Sequence, residues 1–334
     1  MVIGAGERRA AGSGRVALGV VVCGVLWLSA AAALADPARS LVVERDEVEI
    51  APPAGLKVTS LLVDNRLGDI RVEGHERPVI TISARKQAAS APVLERLKVT
   101  VIPDANGPVR ISTAMTATDD ARPIPTGAVR IDLVIRAPRG AHVAAQLWNG
   151  RLALIGMENG ADLLANEGQI VVHNASGSIM AQVASGTQQF VEVVGKVDAR
   201  VISGEMNLDT IRGERLDASV QEGHIDSRQV RVREAWLRAI RGNIRFRGEA
   251  VAGGQYHLGS FHGDVEVELV TTAPVSLVAH ADAGTVSLPP GMERRSGGGV
   301  AEGAIVGAAP GSGAPAMFEL RSRIGNIRFA IAQP

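Results

Sequence analysis

Glycine recurs along most of this chain at a nearly constant spacing, and that regularity constrains the fold more than any other feature. From Gly150 onward the gaps between successive members of the series are 18, 18, 18, 19, 19, 21, 21 and 41 residues. One further member stands upstream, and the full set is Gly68, Gly150, Gly168, Gly186, Gly204, Gly223, Gly242, Gly263, Gly284 and Gly325. A period of this length indicates repeated supersecondary units stacked on one another, with these glycines as structural turns.

Apolar and polar residues alternate on both sides of each glycine. Two and four residues after it the positions are nearly all apolar, as at Met206 and Leu208, while Glu205 and Asn207 stand between them. Apolar residues also recur five and seven residues before the glycine. This period of two indicates strands with one buried face. Gln188 is the one amide in the column two residues after the glycine, and its side chain is predicted to point inward.

The repeats predict an all-β fold. One repeat cannot bury its own apolar face, whereas stacked repeats bury a continuous core. We therefore predict a parallel β-solenoid with coils of 18–21 residues. The predicted regions are an N-terminal β region that caps the solenoid at 36–137, solenoid repeats at 138–290, a flexible Gly/Ala-rich loop at 291–316 and final solenoid strands at 317–334.

The first 35 residues have the pattern of a secretory signal peptide. Arg8, Arg9 and Arg15 lie at or before the start of an apolar run, which ends in an A-x-A cleavage site before Asp36. Because the run is 18 residues long, an uncleaved membrane anchor is the alternative. The only cysteine, Cys23, lies within it. The chain is predicted to be exported to the periplasm, cell envelope or extracellular space, with a membrane contact only through this segment if it is retained.

Composition and motifs exclude several classes of function. Hydrophobic residues make up 46% of the chain, which is too many for a disordered protein. Lys plus Arg and Asp plus Glu both number 35, so nothing suggests a nucleic-acid partner. The sequence contains no nucleophile, phosphate-loop or metalloprotease motif. His257 and His262 lie five residues apart without an apparent third ligand, so no metal and no cofactor is predicted.

One outward face carries residues with possible chemistry. Asp198 and Asp217 stand six residues before successive glycines, so coils in register would place their backbones about 4.8 Å apart. Arg200 and Arg238 stand four residues before glycines of the series, and Trp236 continues the aspartate column. Two carboxylates beside arginines are compatible with glycoside hydrolysis or uronate abstraction, but the pattern favours ordinary solvated charges whose repulsion the arginines relieve. Trp236 either stacks on a sugar ring or is covered by a neighbouring loop.

The other outward face has alternating charges. Asp226, Arg245 and Glu266 stand three residues after successive glycines, and Arg247 and Glu268 follow two positions further on. Opposite charges on neighbouring strands stabilise the register by about 0.2–1 kcal/mol per pair. This pattern predicts a solvated sheet face.

The strings VRIDLVIRAPRGAHV, NGRLALIG, ASGSIMAQVASG, ISGEMNLDTIRG and IRGNIRF contain the recurring turn-and-strand pattern. Over roughly 41–331 the chain resembles the putative-adhesin family of β-strand repeats (domain of unknown function 4097). The resemblance implies an exported or envelope protein, and it brings no catalytic residues.

These observations favour an exported, non-enzymatic envelope or surface protein, an adhesin-like repeat scaffold that binds a protein, a glycan or the cell wall. The alternative is a β-helix carbohydrate-active enzyme, a lyase or hydrolase acting through Asp198 and Asp217. Short turns between Gly150 and Gly284 favour the first, because an enzyme needs long loops around its cleft. A third alternative is a sensor partner of a membrane regulator, which would favour a retained anchor.

Overall fold

The structure is a computed structural model that describes residues 41–50, 58–104, 107–116, 129–270, 273–289, 292, 305–309 and 313–332. It divides into two compact units, one ending at Asn159 and one beginning at Gly160. Almost every regular element in both units is a strand, so the prediction of an all-β fold is confirmed. The predicted signal peptide at 1–35 lies outside the described residues.

The described part of the first unit contains one helical turn and eight strands: β1 Val42–Ile50, β2 Ser60–Asn65, β3 Ile70–His75, β4 Ile80–Ala88, α1 Ala91–Leu94, β5 Leu97–Ile102, β6 Val109–Met115, β7 Val129–Pro138 and β8 His142–Ile155. β2 and β3 both pair with β8 in parallel, which places Leu61 beside Val143. These two residues have the same offset from Gly68 and Gly150, so the two repeats lie in register. The remaining pairings include antiparallel ones, β4 with β1 and β7, and β5 with β6.

A buried asparagine connects several strands of this first unit. Asn65 is fully buried at the end of β2. Its Nδ2 donates to the carbonyl oxygens of Ile131 at 2.8 Å and Asp69 at 3.1 Å. Its Oδ1 accepts from the Thr113 hydroxyl at 2.6 Å and from the Leu67 backbone N–H at 3.1 Å. Because both ends of the amide are bonded, it is buried without an unpaired polar group.

The second unit contains β9 Ala161–Arg241, β10 Ile244–Glu249, β11 Gln255–His262, β12 Val265–Val270, β13 Val275–Ala283, β14 Val286–Ser287, β15 Ile305–Ala309, β16 Ala316–Ile324 and β17 Ile327–Ala332. β9 is 81 residues long, and a straight strand of that length would extend roughly 270 Å. It is not straight, since the backbones of Gly186 and Gly168 lie so close that a Cβ added to Gly186 would overlap the carbonyl oxygen of Gly168. The extended chain therefore returns to the same column once per repeat.

The bends lie at residues with positive φ. All ten glycines of the series have φ between +126° and +153°. Two further sets, which the glycine spacing did not reveal, lie six and nine residues after the series glycines: Asn174, Glu192, Thr210 and Gln229, and Gly177, Gly195 and Gly213. A repeat of β9 thus has up to three bends.

The inward positions form columns in the second unit. Ile244 pairs with Ile225 on one side and with Val265 on the other, and all three are buried. Gln188 is also fully buried, and its Nε2 donates to the Arg200 carbonyl at 2.9 Å. The inward prediction for Gln188 is therefore confirmed, and its amide nitrogen has the backbone partner that burial requires.

The C-terminal strands enter the stack between strands that precede them in sequence. β16 pairs in parallel with β11 and β13, and β17 pairs in parallel with β12 and β14. Phe318 in β16 consequently lies between Tyr256 and Leu277, with its ring stacked 4.2 Å from that of Tyr256. The Tyr256 hydroxyl donates to the Val232 carbonyl at 2.8 Å, and burial raises its pKa.

The segment predicted as a flexible loop, 291–316, contains a strand. Within it the structure describes 292, 305–309 and 313–316. β15 pairs antiparallel with β13, on which it matches Ile305 with Ala279. β13 therefore has β15 as a strand partner in addition to β16.

Side chains that follow the turn glycines bond successive repeats to one another. His224 Nδ1 accepts the backbone N–H of Asn243 at 3.0 Å, and Asn243 Oδ1 accepts that of Asp264 at 2.8 Å. Asp264 Oδ1 accepts that of Asn326 at 2.7 Å, and Asn326 Oδ1 accepts that of Thr285 at 3.0 Å. We call these five residues the turn ladder. At His224, Asn243, Asp264 and Asn326, the polar side chain after the glycine thus supplies an acceptor to the backbone of a neighbouring turn.

Candidate functional site

The five residues singled out from the sequence, here called the candidate face, are Asp198, Arg200, Asp217, Trp236 and Arg238. All lie in β9, where the neighbouring positions are buried, as Leu216 and Ala218 are on either side of Asp217. Side chains of a strand alternate between its two sides. The candidate face is therefore the outward side of a strand whose inward side belongs to the core.

Both aspartates of the candidate face are bonded to arginine. Asp198 accepts from Arg200 at 2.9 Å. Asp217 accepts from Arg238 at 3.0 Å and from Arg215, which the sequence analysis did not include, at 3.2 Å. Glycoside hydrolysis uses two carboxyl groups with separate roles, one of them as proton donor. The arrangement observed is instead a set of ion pairs across the sheet face.

Trp236 is stacked on a histidine of the neighbouring strand. Its ring lies 4.0 Å from that of His257, with an interplanar angle of 18°. His257 Nδ1 lies 3.0 Å from Glu319 Oε2 on the inserted strand β16. His257 thus covers one face of the indole, and it does so from a neighbouring strand and not from a loop. Glu319 joins this column only because β16 enters the stack beside β11.

The two histidines considered as metal ligands have different partners. His257 contacts Trp236 and Glu319, whereas the ring of His262 stacks on Phe261 at 4.8 Å. In the part of the chain that the structure describes, no group of three or more His, Cys, Asp or Glu side chains is arranged to hold a metal ion.

A groove that no sequence pattern indicated borders the candidate face. We call it the Gly259 groove. It has a volume of about 790 Å³, and the residues of its lining that matter below are Arg238, Ile240, Gly259, Phe261, Arg321 and Arg323. Only Arg238 belongs to both surfaces. Reading the outward column one repeat beyond Arg238 leads to Gly259, but no sequence signal shows that Arg321 and Arg323 lie beside it, because their place depends on the insertion of β16.

The opposite outward face shows the predicted alternation of charge. Arg245 Nε donates to Glu266 at 2.7 Å, and Arg247 Nε lies 3.5 Å from a Glu268 oxygen, as predicted. The hydrogen bond with Glu266 raises the pKa of Arg245. Asp226 accepts a hydrogen bond from Arg228 of its own strand and not from Arg245. These exposed pairs maintain the register of the strands.

The described residues include no helix that is both long and apolar enough to cross a membrane.

No protein-family model matches the chain, and no curated protein matches it. Among solved structures it is similar to a putative cell adhesion protein from Clostridium sporogenes ATCC 15579, with 12% identity, coverage of 87% of this chain and 100% of that one, and a TM-score of 0.26. A putative adhesin from Parabacteroides distasonis ATCC 8503 has 9% identity, coverage of 87% and 98%, and a TM-score of 0.40. One from Bacteroides fragilis NCTC 9343 has 10% identity, coverage of 88% and 98%, and a TM-score of 0.35. TM-scores of this size do not establish a common fold, so the function has to be inferred from the residues of this chain.

Proposed function

We propose that this chain is an exported, non-enzymatic surface protein, a β-solenoid scaffold that binds a protein, a glycan or the cell wall of the envelope. The solenoid proposal is supported in the second unit by parallel pairing of strands one repeat apart, as between Ile225 and Ile244. It is also supported by the bends that return β9 to the same column of glycines. Membership of the family that the sequence resembles, the domain limits and the capping role of 36–137 belong to the same proposal.

The observation that carries the non-enzymatic proposal is the pairing of charges on the candidate face. Asp198 is bonded to one guanidinium group and Asp217 to two. The indole of Trp236 is likewise engaged with His257. Ion pairs of this kind position side chains on a surface, and they leave guanidinium donors available to a partner.

Binding and turnover are tested together on the full chain. Retention of envelope-fraction components and binding to a glycan array are measured alongside release of products from polysaccharides. We expect saturable binding without products. Product release that is lost in Asp198→Asn and kept in Asp226→Asn, a matched change on the opposite face, would establish the lyase or hydrolase alternative instead.

Export rests on the signal pattern before Asp36. Mass spectrometry of the protein recovered from cell fractions tests it. We expect a chain that begins at Asp36 in the periplasmic, envelope or medium fraction. An intact N-terminus in the membrane fraction would instead indicate the retained anchor.

A further inference from the structure

The Gly259 groove crosses several neighbouring strands. Gly259 in β11 pairs with Arg238 in β9 on one side and with Arg321 in β16 on the other, and Arg321 pairs in turn with His280 in β13. Four strands in register place the ends of this row about 14 Å apart. The groove is therefore long enough for an extended chain molecule lying across the strands.

Gly259 leaves a gap between two arginines, and the fold does not require glycine there. Its φ is not in the left-handed region, unlike that of the turn glycines. A Cβ added to it would meet only Arg321 atoms at 3.9 and 4.0 Å, which is ordinary van der Waals contact. A larger side chain at this position would stand between Arg238 and Arg321. Gly259 thus keeps the floor of the groove open, although the backbone conformation does not require a glycine there.

The groove combines cationic and apolar groups. The guanidinium carbon of Arg323 lies 4.6 Å from the centroid of the Phe261 ring. Phe261 and Ile240 are 43% and 54% exposed. In the part of the chain that the structure describes, Arg323 forms no ion pair with a carboxylate. An arginine held on an aromatic ring keeps its N–H edges free for a carboxylate.

The other two arginines of the lining also have N–H donors available to a ligand. Arg238 and Arg321 each bond to a carboxylate outside the lining, that of Asp217 at 3.0 Å and that of Glu319 at 2.5 Å. A guanidinium group has five N–H donors, so both retain donors for a ligand. Asp282, the acidic side chain of the lining, lies 2.7 Å from His280.

We propose that the Gly259 groove binds an acidic glycan, a chain of sugar rings that carry carboxylate groups. This inference rests on the proposed binding function and names the class of partner. The carboxylates meet Arg238, Arg321 and Arg323, while the apolar faces of the sugar rings lie on Ile240 and on the exposed edge of Phe261, since Arg323 and His262 cover the two faces of the Phe261 ring. A peptide is less well suited, because the backbone groups of these strands are already used in their ladders and offer no free edge for strand addition.

Fluorescence anisotropy on the full chain tests the proposal with three labelled probes: a tetramer of galacturonic acid, a tetramer of galactose and tetraglutamate. We expect the uronate tetramer to bind more tightly than the other two, and more weakly as salt is raised. Arg323→Gln should weaken its binding at least about tenfold, as expected for loss of a charge-assisted hydrogen bond. Gly259→Leu should weaken it similarly by filling the groove, and Gly259→Ala should weaken it less.

Arg247→Gln is the matched control, since it removes the same charge from the opposite outward face and should leave binding unchanged. Circular dichroism of each variant confirms folding. Equal affinity for tetraglutamate, equal loss in Arg247→Gln, or no binding of the uronate tetramer would each overturn the proposal. If envelope components are retained equally by wild type and Arg323→Gln while the uronate tetramer does not bind, the groove proposal fails and the proposed function stands. If the uronate tetramer binds and is also cleaved, the groove proposal stands and the proposed non-enzymatic function fails instead.

Discussion

The backbone N–H of Asn326 donates to Asp264 Oδ1 across 2.7 Å, although 62 residues separate them. The side chain of Asn326 in turn accepts from the backbone N–H and the hydroxyl of Thr285, at 3.0 and 2.9 Å. Asp264 and Thr285 follow glycines that are neighbours in the sequence series, so Asn326 stands between two turns that would otherwise be adjacent. These hydrogen bonds, called the Asn326 bridge below, stabilise the C-terminal strands in their place inside the stack.

Asn326→Ala should lower the free energy of unfolding by about 1–2 kcal/mol, because it removes the side-chain bonds to Asp264 and Thr285. Chemical denaturation of the full chain measures the change. Glu205→Ala is the control. Glu205 is the exposed residue at the equivalent position after Gly204, and the free energy of unfolding of this variant should stay within about 0.5 kcal/mol of wild type. A loss of equal size in both variants would show that the Asn326 bridge contributes nothing specific.

Deleting residues 187–204 should leave a folded protein, because the deletion removes one complete 18-residue repeat and joins Gly186 to Glu205. In a stacked-repeat protein each coil contacts only its neighbours, so the remaining coils close up in register. Deleting 187–195 removes half a repeat, so every later turn is displaced by half a coil relative to the coils before it. Circular dichroism and cooperative thermal unfolding should be retained in the first variant and lost in the second. Unfolding of both would contradict the solenoid proposal.

Ile225→Asp should destabilise the second unit by more than about 3 kcal/mol, since Ile225 is 1% exposed and the new carboxylate would have no buried partner. Ile202→Asp makes the same change in β9 at a side chain that is 52% exposed, and should cost less than about 1 kcal/mol. Thermal and denaturant unfolding of the pair separates burial from the intrinsic effect of aspartate in a strand. Similar losses at both sites would contradict the inward register.

Because of Glu73, part of the free energy of unfolding of the first unit should be lost at acidic pH. The pKa of Glu73 is held below its ordinary value of 4.5, first by the hydrogen bond from Arg71 and also by Arg136. Because the folded pKa is the lower one, the unfolded state binds more protons in this range, and stability is lost as pH falls from about 4.5 through the folded pKa.

Glu73→Gln should therefore be less stable than wild type at neutral pH, and the difference should disappear on acidification. Unfolding midpoints between neutral and acidic pH measure it. Glu76→Gln provides the comparison, because it makes the same change at a side chain that is 83% exposed beside Arg139, and it should stay within about 0.5 kcal/mol of wild type at neutral pH. A difference between wild type and Glu73→Gln that persists unchanged at the acidic end would contradict the assignment to this carboxylate.

Much of the candidate site follows from local pattern. The spacing of Asp198, Asp217 and Trp236 from their glycines was enough to assign them to one outward side of β9, whose inward side is buried. The partners that decide the chemistry of these residues were not apparent. Arg215 lies two residues before Asp217, outside the columns considered, and His257 covers Trp236 from the next strand.

Local pattern in the sequence was sufficient to predict the strands of the repeats and their inward and outward faces, because alternation and turn spacing are properties of a few neighbouring residues. It also indicated that Gln188 points inward. It did not predict the antiparallel pairs of β4 with β1 and β7, or of β15 with β13. The order of the last strands depends on tertiary contacts, since pairing after a long connection depends on which strand edges match. Phe318 packs between Tyr256 and Leu277, and no local sequence pattern predicts this packing. The Gly259 groove depends on the same insertion, because Arg321 reaches Gly259 only when β16 lies beside β11.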